Sequence, residues 1–158
     1  MTDVFIIAVG NEKEEYYRRA VDEYAKRISA FARVTVREIK EKRLLEDPSA
    51  GEIERALGEE GKDILSSLPK NCVLCALCVE GEQLSSEEFA ALLGDSAQKG
   101  PVAFVIGSSH GLCKSVKEAA RRRISFSKMT FPHRLMRVIL FEQIYRGFSI
   151  LNNGKYHK

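Results

Sequence analysis

With 158 residues, 44% hydrophobic and 30% charged, the chain has the length and balance of one globular domain, able to bury most of its apolar surface without disulfide staples. No run approaches eighteen apolar residues, which excludes a membrane-spanning helix, and the apolar opening lacks the basic leader of a secretory signal, so a cytoplasmic location is expected. The net charge of +3 is unevenly spread: residues 101–158 hold eleven Lys and Arg against Glu118 and Glu142, a surplus of +9, which leaves −6 on residues 1–100. That division suits a polyanionic partner such as nucleic acid, because phosphate neutralisation supplies most non-specific affinity; a solvated basic face would carry the same charge.

Val4–Val9 is a short apolar strand ending at Gly10. Glu14–Ala30 predicts an amphipathic helix with Tyr17, Val21, Tyr24 and Ile28 on one stripe. Val34–Ile39 alternates as a half-buried strand, and the polar stretch Lys40–Ala50, with Pro48, predicts an exposed loop. A helix over Glu52–Leu68 stops before Pro69. Cys72–Val79 follows as a buried strand, with a turn expected at Glu80-Gly81-Glu82. Ser85 and Glu88 form a capping box that opens a helix to about Ala97, broken by Gly100-Pro101.

Val102–Ile106 is apolar without interruption and predicts a strand buried on both faces. The loop Gly107–Leu112 leads to a helix from about Lys114 to Arg122, a brief strand over Ile124–Phe126 and a loop over Ser127–Phe131. Pro132 suits the first turn of a last helix running to about Leu151. Strands alternating with helices predict an α/β fold, a mostly parallel sheet with helices on both faces, as a single domain over 1–158.

Four cysteines raise a metal reading, since Cys72, Cys75 and Cys78 are spaced C-x-x-C-x-x-C with Cys113 far downstream. In a strand, however, positions 72 and 78 face one way and 75 the other, so they do not converge on one ion, and core packing is the favoured reading with no metal expected. Gly107-Ser108-Ser109-His110-Gly111 follows neither G-x-G-x-x-G nor the Walker pattern, but glycines at both ends let main-chain groups approach a flat ligand. His110 is either a chemical group or a loop histidine in water. Ser125–Phe131 reads equally as a strand-to-helix connector or as a ligand loop walled by Phe126, Met129 and Phe131. The last helix is apolar nearly all round, which predicts burial on several sides and a role in pairing two copies. Within it, Glu142 and Arg146 sit four apart and predict a local salt bridge worth little. Tyr156-His157-Lys158 joins an aromatic ring, an imidazole and an ammonium, the groups that single-stranded RNA binding or general-base work requires.

Together these segments resemble the RlmH family, small SPOUT-class methyltransferases acting on 23S ribosomal RNA. The resemblance rests on Ala8-Val9-Gly10, Phe104–Leu112, Ser125–His133, Arg137-Val138, Glu142–Arg146 and Tyr156-His157-Lys158, and covers essentially the whole chain. It implies a homodimer whose C-terminal part threads a trefoil knot. It also implies the cofactor S-adenosylmethionine, with contacts at Leu77, Gly107, Phe126, Ser127, Lys128, Met129, Thr130 and Phe131. The implied reaction is methylation of N3 of a pseudouridine in a hairpin loop of the large-subunit RNA, on the assembled ribosome. Alignment should dominate such a transfer, with a base wanted for the N3 proton. That role falls to His157 first and Tyr156 second, with Arg137, Lys158, His133 and Arg134 as RNA contacts. Ser108 stands where the family usually has a glycine, which is tolerable if its φ is negative. A catalytically silent RNA-binding homologue is the alternative.

Overall fold

The computed structural model describes residues 1–158. Five strands, β1 (Thr2–Val9), β2 (Ala32–Ile39), β3 (Val73–Gln83), β4 (Val102–Ile106) and β5 (Arg122–Ser125), alternate with five helices, α1 (Glu15–Ile28), α2 (Ala50–Ser67), α3 (Ser86–Ala97), α4 (Lys114–Ala119) and α5 (His133–Leu151). The strands form one all-parallel sheet in the order β2-β1-β4-β3-β5. The parallel arrangement follows from the chemistry of the central strands: Val102–Ile106 is buried throughout, so both faces must be covered by helices.

The two faces have separate cores. Val4, Ile6, Cys75, Phe104 and Ile106 meet α1, α3 and α5 through Ile28, Phe89, Leu93, Leu140, Phe141 and Ile144. Ile7, Val9, Leu74, Ala76, Ala103 and Val105 meet α2 and α4 through Ile64 and Val116. The cysteine strand obeys the same alternation. Cys75 is buried in the first core and Cys72 packs against the second.

Several boundaries differ from expectation, β5 among them at Arg122–Ser125 rather than Ile124–Phe126, and three of the differences bear on the site. The expected turn at Glu80-Gly81-Glu82 is absent, and β3 continues to Gln83. Ile124 of β5 pairs first with Leu77 and again with Glu82, so the residues between bow outward around it. Gly81 permits this, because a Cβ there would lie 2.7 Å from the carbonyl carbon of Ile124. Helix α4 ends at Ala119 rather than Arg122, because Arg121 N–H donates to the Leu74 carbonyl at 2.9 Å and the chain joins the sheet edge at once. Pro132 is the residue before α5 rather than inside its first turn, with extended ψ of 138°. Ser49 and Glu52 form a second capping box, at the start of α2, by the same side-chain exchange that opens α3. The burial on several sides expected of the last helix is met on one side only: Leu140, Phe141, Ile144 and Phe148 enter the core, while Leu135, Val138 and Ile139 on its other side are half-buried.

Candidate active site

At the carboxyl ends of β3, β4 and β5 lies a cavity of about 460 Å³, the size range of small-molecule sites. Its walls are mainly apolar, from Leu77, Ile106, Ile124, Phe126, Met129 and Phe131. Its remaining lining comes largely from two loops, Gly107–Gly111 after β4 and Ser125–Pro132 after β5. The first loop is closed tightly: Gly111 N–H donates to the Ser108 carbonyl at 2.9 Å. A Cβ on Gly107 would stand 2.3 Å from the Gly111 carbonyl oxygen, and Gly111 has φ +91°. Only glycine serves at either place. Ser108 is not among the positive-φ residues, which is the condition under which a serine replaces glycine without strain.

The second loop is set by its own serines. Ser125 Oγ–H donates to the Ser127 carbonyl at 2.9 Å, and Ser127 Oγ accepts from Met129 N–H at 3.0 Å. Of the expected cofactor contacts, Leu77, Gly107, Phe126, Ser127, Met129, Thr130 and Phe131 line this cavity together; Lys128 is exposed and does not. The structure adds Cys78, Val79, Met136 and His133 to the wall. Cys78 and Val79 were missed because the expected turn hid the outward bow of β3.

His133, on the first turn of α5, has its Nε2 buried without a hydrogen-bond partner. Burial pushes its pKa below the usual imidazole value, with Arg134 and Arg137 acting the same way and Glu41 and Glu12 opposing. It is therefore held neutral. Arg134 faces a neighbouring polar cavity instead. Arg137 is turned inward, its side chain 5% exposed: Nη1 donates to Glu38 Oε2 at 2.8 Å and Nη2 to the Gly10 carbonyl at 3.1 Å. A guanidinium so engaged does not present itself to an RNA phosphate, and in this chain it ties α5 to the sheet.

The C-terminal tail docks on α5 about 15 Å along the helix from Met136, so Tyr156 and His157 do not line the cavity of their own chain. Glu142 Oε1 accepts from Arg146 Nε and Nη2 at 2.9 and 2.5 Å and from the Tyr156 hydroxyl at 3.1 Å. Arg146 lies 4.7 Å from the Tyr156 ring centroid, within cation–π range, and its Nη1 is 3.1 Å from His157 Nδ1. His157 Nε2 is 2.7 Å from Glu87 Oε1. Because arginine only donates, Nδ1 must accept, which places the His157 proton on Nε2, donated to Glu87. That bond holds the Glu87 carboxyl below its usual range. Burial raises the Tyr156 hydroxyl to about 12, with Tyr24 and Glu142 adding to the shift, so it stays protonated near neutrality and is poorly suited to act as a base. The Glu142–Arg146 pair, expected as a local salt bridge, is thus the centre of a network that seats the tail. Lys158 is exposed.

The family described as Predicted SPOUT methyltransferase matches residues 2–157. A ribosomal RNA large subunit methyltransferase H from Caldicellulosiruptor saccharolyticus is 43% identical over 154 residues, covering 97% of this chain and 98% of that one. The protein of the same name from Listeria monocytogenes serovar 1/2a is 42% identical, covering 99% of each. Among solved structures, a probable methylase family protein from Haemophilus influenzae Rd KW20 superposes with TM-score 0.56 at 11% identity, over 99% of this chain and 71% of that one. A probable methyltransferase from Bordetella pertussis Tohama I does so with TM-score 0.54 at 16% identity, over 92% and 94%. These two share the fold.

Proposed function

The chain belongs to the RlmH family of SPOUT methyltransferases, and from that premise we propose that it transfers a methyl group from S-adenosylmethionine to N3 of a pseudouridine in 23S ribosomal RNA on the assembled ribosome. The observation that carries the reading is the apolar cavity between the Gly107–Gly111 and Ser125–Pro132 loops, which suits a flat adenine held by main-chain groups. The close approach of Gly107 to the Gly111 carbonyl, which any Cβ would block, keeps the first loop tight along one wall of that cavity. When bound there, the donor supplies an electrophilic methyl on a sulfonium.

The rest falls to the chain's own side chains. Leu77, Phe126, Met129 and Phe131 exclude water from the donor, and the two loops fix its orientation, the larger part of catalysis for an in-line transfer. N3 of a neutral pseudouridine carries a proton, and His157 is the base we assign to it, accepting at Nδ1 once that nitrogen leaves Arg146. Tyr156 positions the tail against Arg146 and Glu142. Lys158 and the basic surface of residues 101–158 hold the RNA backbone.

We further propose that the working form is a cytoplasmic homodimer with a knotted C-terminal part. The half-covered apolar side of α5 supports pairing. The distance from each tail to its own cavity favours a partner's His157 completing each site. The test is mass spectrometry of 23S RNA from a strain lacking this protein. One pseudouridine should lose one methyl group and regain it on complementation; an unchanged map would remove the proposal.

A further inference from the structure

A second cavity, of about 660 Å³, opens at the carboxyl ends of β2, β1 and β4. The loop after β1 leads to α1 on one face of the sheet and the loop after β4 leads to α4 on the other, so the crevice between them is where an α/β sheet places a ligand. This cavity shares Ser108 and Ser109 with the donor cavity and is separated from it by that stretch of chain. Its character is different: Lys13, Lys40 and Arg43 stand exposed at the rim, Ala56 and Leu57 offer an apolar surface, and Glu60 closes the floor.

Glu60 is the unexpected group. It is 3% exposed, its Oε2 accepts from Lys42 N–H at 2.9 Å, and no donor reaches its buried Oε1 in full hydrogen-bonding geometry; burial pushes the carboxyl up, with Lys42 N–H and the nearby Ser108 side chain opposing. Leaving a buried carboxylate oxygen unpaired is costly, and its terminal torsion is soft enough to turn that oxygen into the cavity. A carboxylate only accepts, so the missing partner is a donor. Exposed cations above an apolar ledge with a hydrogen-bond acceptor beneath are the complement of phosphate, base face and base edge in one unpaired nucleotide.

We propose that this cavity is a second RNA subsite, taking a nucleotide next to the methyl acceptor: its base lies on Ala56 and Leu57, an N–H of its base edge donates to Glu60, and its phosphate meets Lys40 and Arg43. The inference rests on the RNA-methyltransferase reading. The nucleotide here is not the acceptor, because Ser108 and Ser109 stand between it and the donor cavity. Only one carboxylate oxygen is free, and each of the four bases offers an N–H to it, so the subsite holds a base edge without choosing among the four.

The test uses ribosomes in which each nucleotide flanking the target pseudouridine is replaced singly by purine riboside, whose base carries no N–H but still stacks, with ribosome affinity measured without methyl donor and methyl transfer measured separately. For the unaltered protein, one flanking replacement should weaken ribosome binding about tenfold. Glu60→Gln should show that tenfold loss on unaltered ribosomes and no further loss on the altered ones, with S-adenosylmethionine affinity unchanged. Should Glu60→Gln fail to fold, the exposed Lys40→Ala/Arg43→Ala pair decides instead, weakening binding and reducing the salt slope by about two contacts. Equal sensitivity to purine riboside in Glu60→Gln and the unaltered protein, or an unchanged salt slope in the cation variant, overturns the subsite. Flank-dependent binding without methyl transfer would keep the subsite and remove the methyltransferase reading; methyl transfer indifferent to every flanking base would do the reverse.

Discussion

Arg137 and Glu38 lie far apart in the chain and meet across the carboxyl edge of the sheet, Nη1 to Oε2 at 2.8 Å. The same carboxylate oxygen accepts from Glu12 N–H at 2.9 Å, and the same guanidinium reaches the Gly10 carbonyl. The first turns of α5 are thereby pinned to the ends of β1 and β2, between the two cavities.

Arg137→Ala leaves Glu38 without its cation and the Gly10 carbonyl without its donor. Removing one partner of a buried pair costs roughly 3–5 kcal/mol. Because Glu38 is 42% exposed, water recovers part of this and about 2 kcal/mol is expected, read from urea unfolding. Arg137→Lys should not rescue it, since an ammonium cannot span both acceptors in the guanidinium's fork geometry. A variant of unaltered stability with weakened RNA binding would return Arg137 to the phosphate role.

Two glycines give opposite expectations. Gly58 lies inside α2 with nothing within 4 Å of where a methyl would stand, so Gly58→Ala should stabilise the fold by up to about 1 kcal/mol. Gly107→Ala would drive a methyl to 2.3 Å from the Gly111 carbonyl oxygen and must open the loop. Its S-adenosylmethionine affinity, by calorimetry, should fall at least tenfold, about 1.4 kcal/mol. Undiminished affinity would mean that this loop does not hold the donor.

His133 sets a pH dependence. Its folded pKa lies below the ordinary value of 6.5, chiefly through burial, so the unfolded chain binds more protons at that site. Stability from this group is therefore full above about 6.5 and is lost as the pH falls through the depressed folded value. Thermal melts between pH 7.5 and 5 should show a decline that His133→Gln makes shallower. An identical slope in the variant would show that the ring is hydrated rather than buried.

Much of this was legible in the chain. The uninterrupted run Val102–Ile106 forced a doubly covered strand, and the element order forced a parallel sheet. The cavity loops stood out because Gly107, Gly111 and the serines at 125 and 127 carry local turn chemistry that depends on near neighbours. What could not be read is what depends on distant partners. Glu80-Gly81-Glu82 has the composition of a turn, and only its pairing with β5 keeps it extended. Arg137 looked like a surface cation until Glu38 and Gly10 closed around it. Glu60 falls on the buried stripe of α2 at the four-residue spacing of Ala56 and Ile64, but a carboxylate on such a stripe gives no sign of the cavity that other elements close above it.

The tail provides the sharpest division of labour. His157 has one nitrogen facing Arg146 and the other facing Glu87, whereas the Tyr156 hydroxyl only donates to Glu142 and stays protonated near neutrality. If the imidazole accepts the N3 proton, His157→Ala should slow single-turnover methylation by about 10²–10⁴-fold while leaving donor binding unchanged. Tyr156→Phe keeps the ring against Arg146 and loses one hydrogen bond, so its rate should stay within about tenfold of the original. Glu142→Gln weakens the acceptor that gathers Arg146 and Tyr156, and should loosen the tail enough to raise its hydrogen exchange. A rate for His157→Ala equal to that of the unaltered protein would dismiss the imidazole as base, and a collapse in Tyr156→Phe alone would move the chemistry to the phenol.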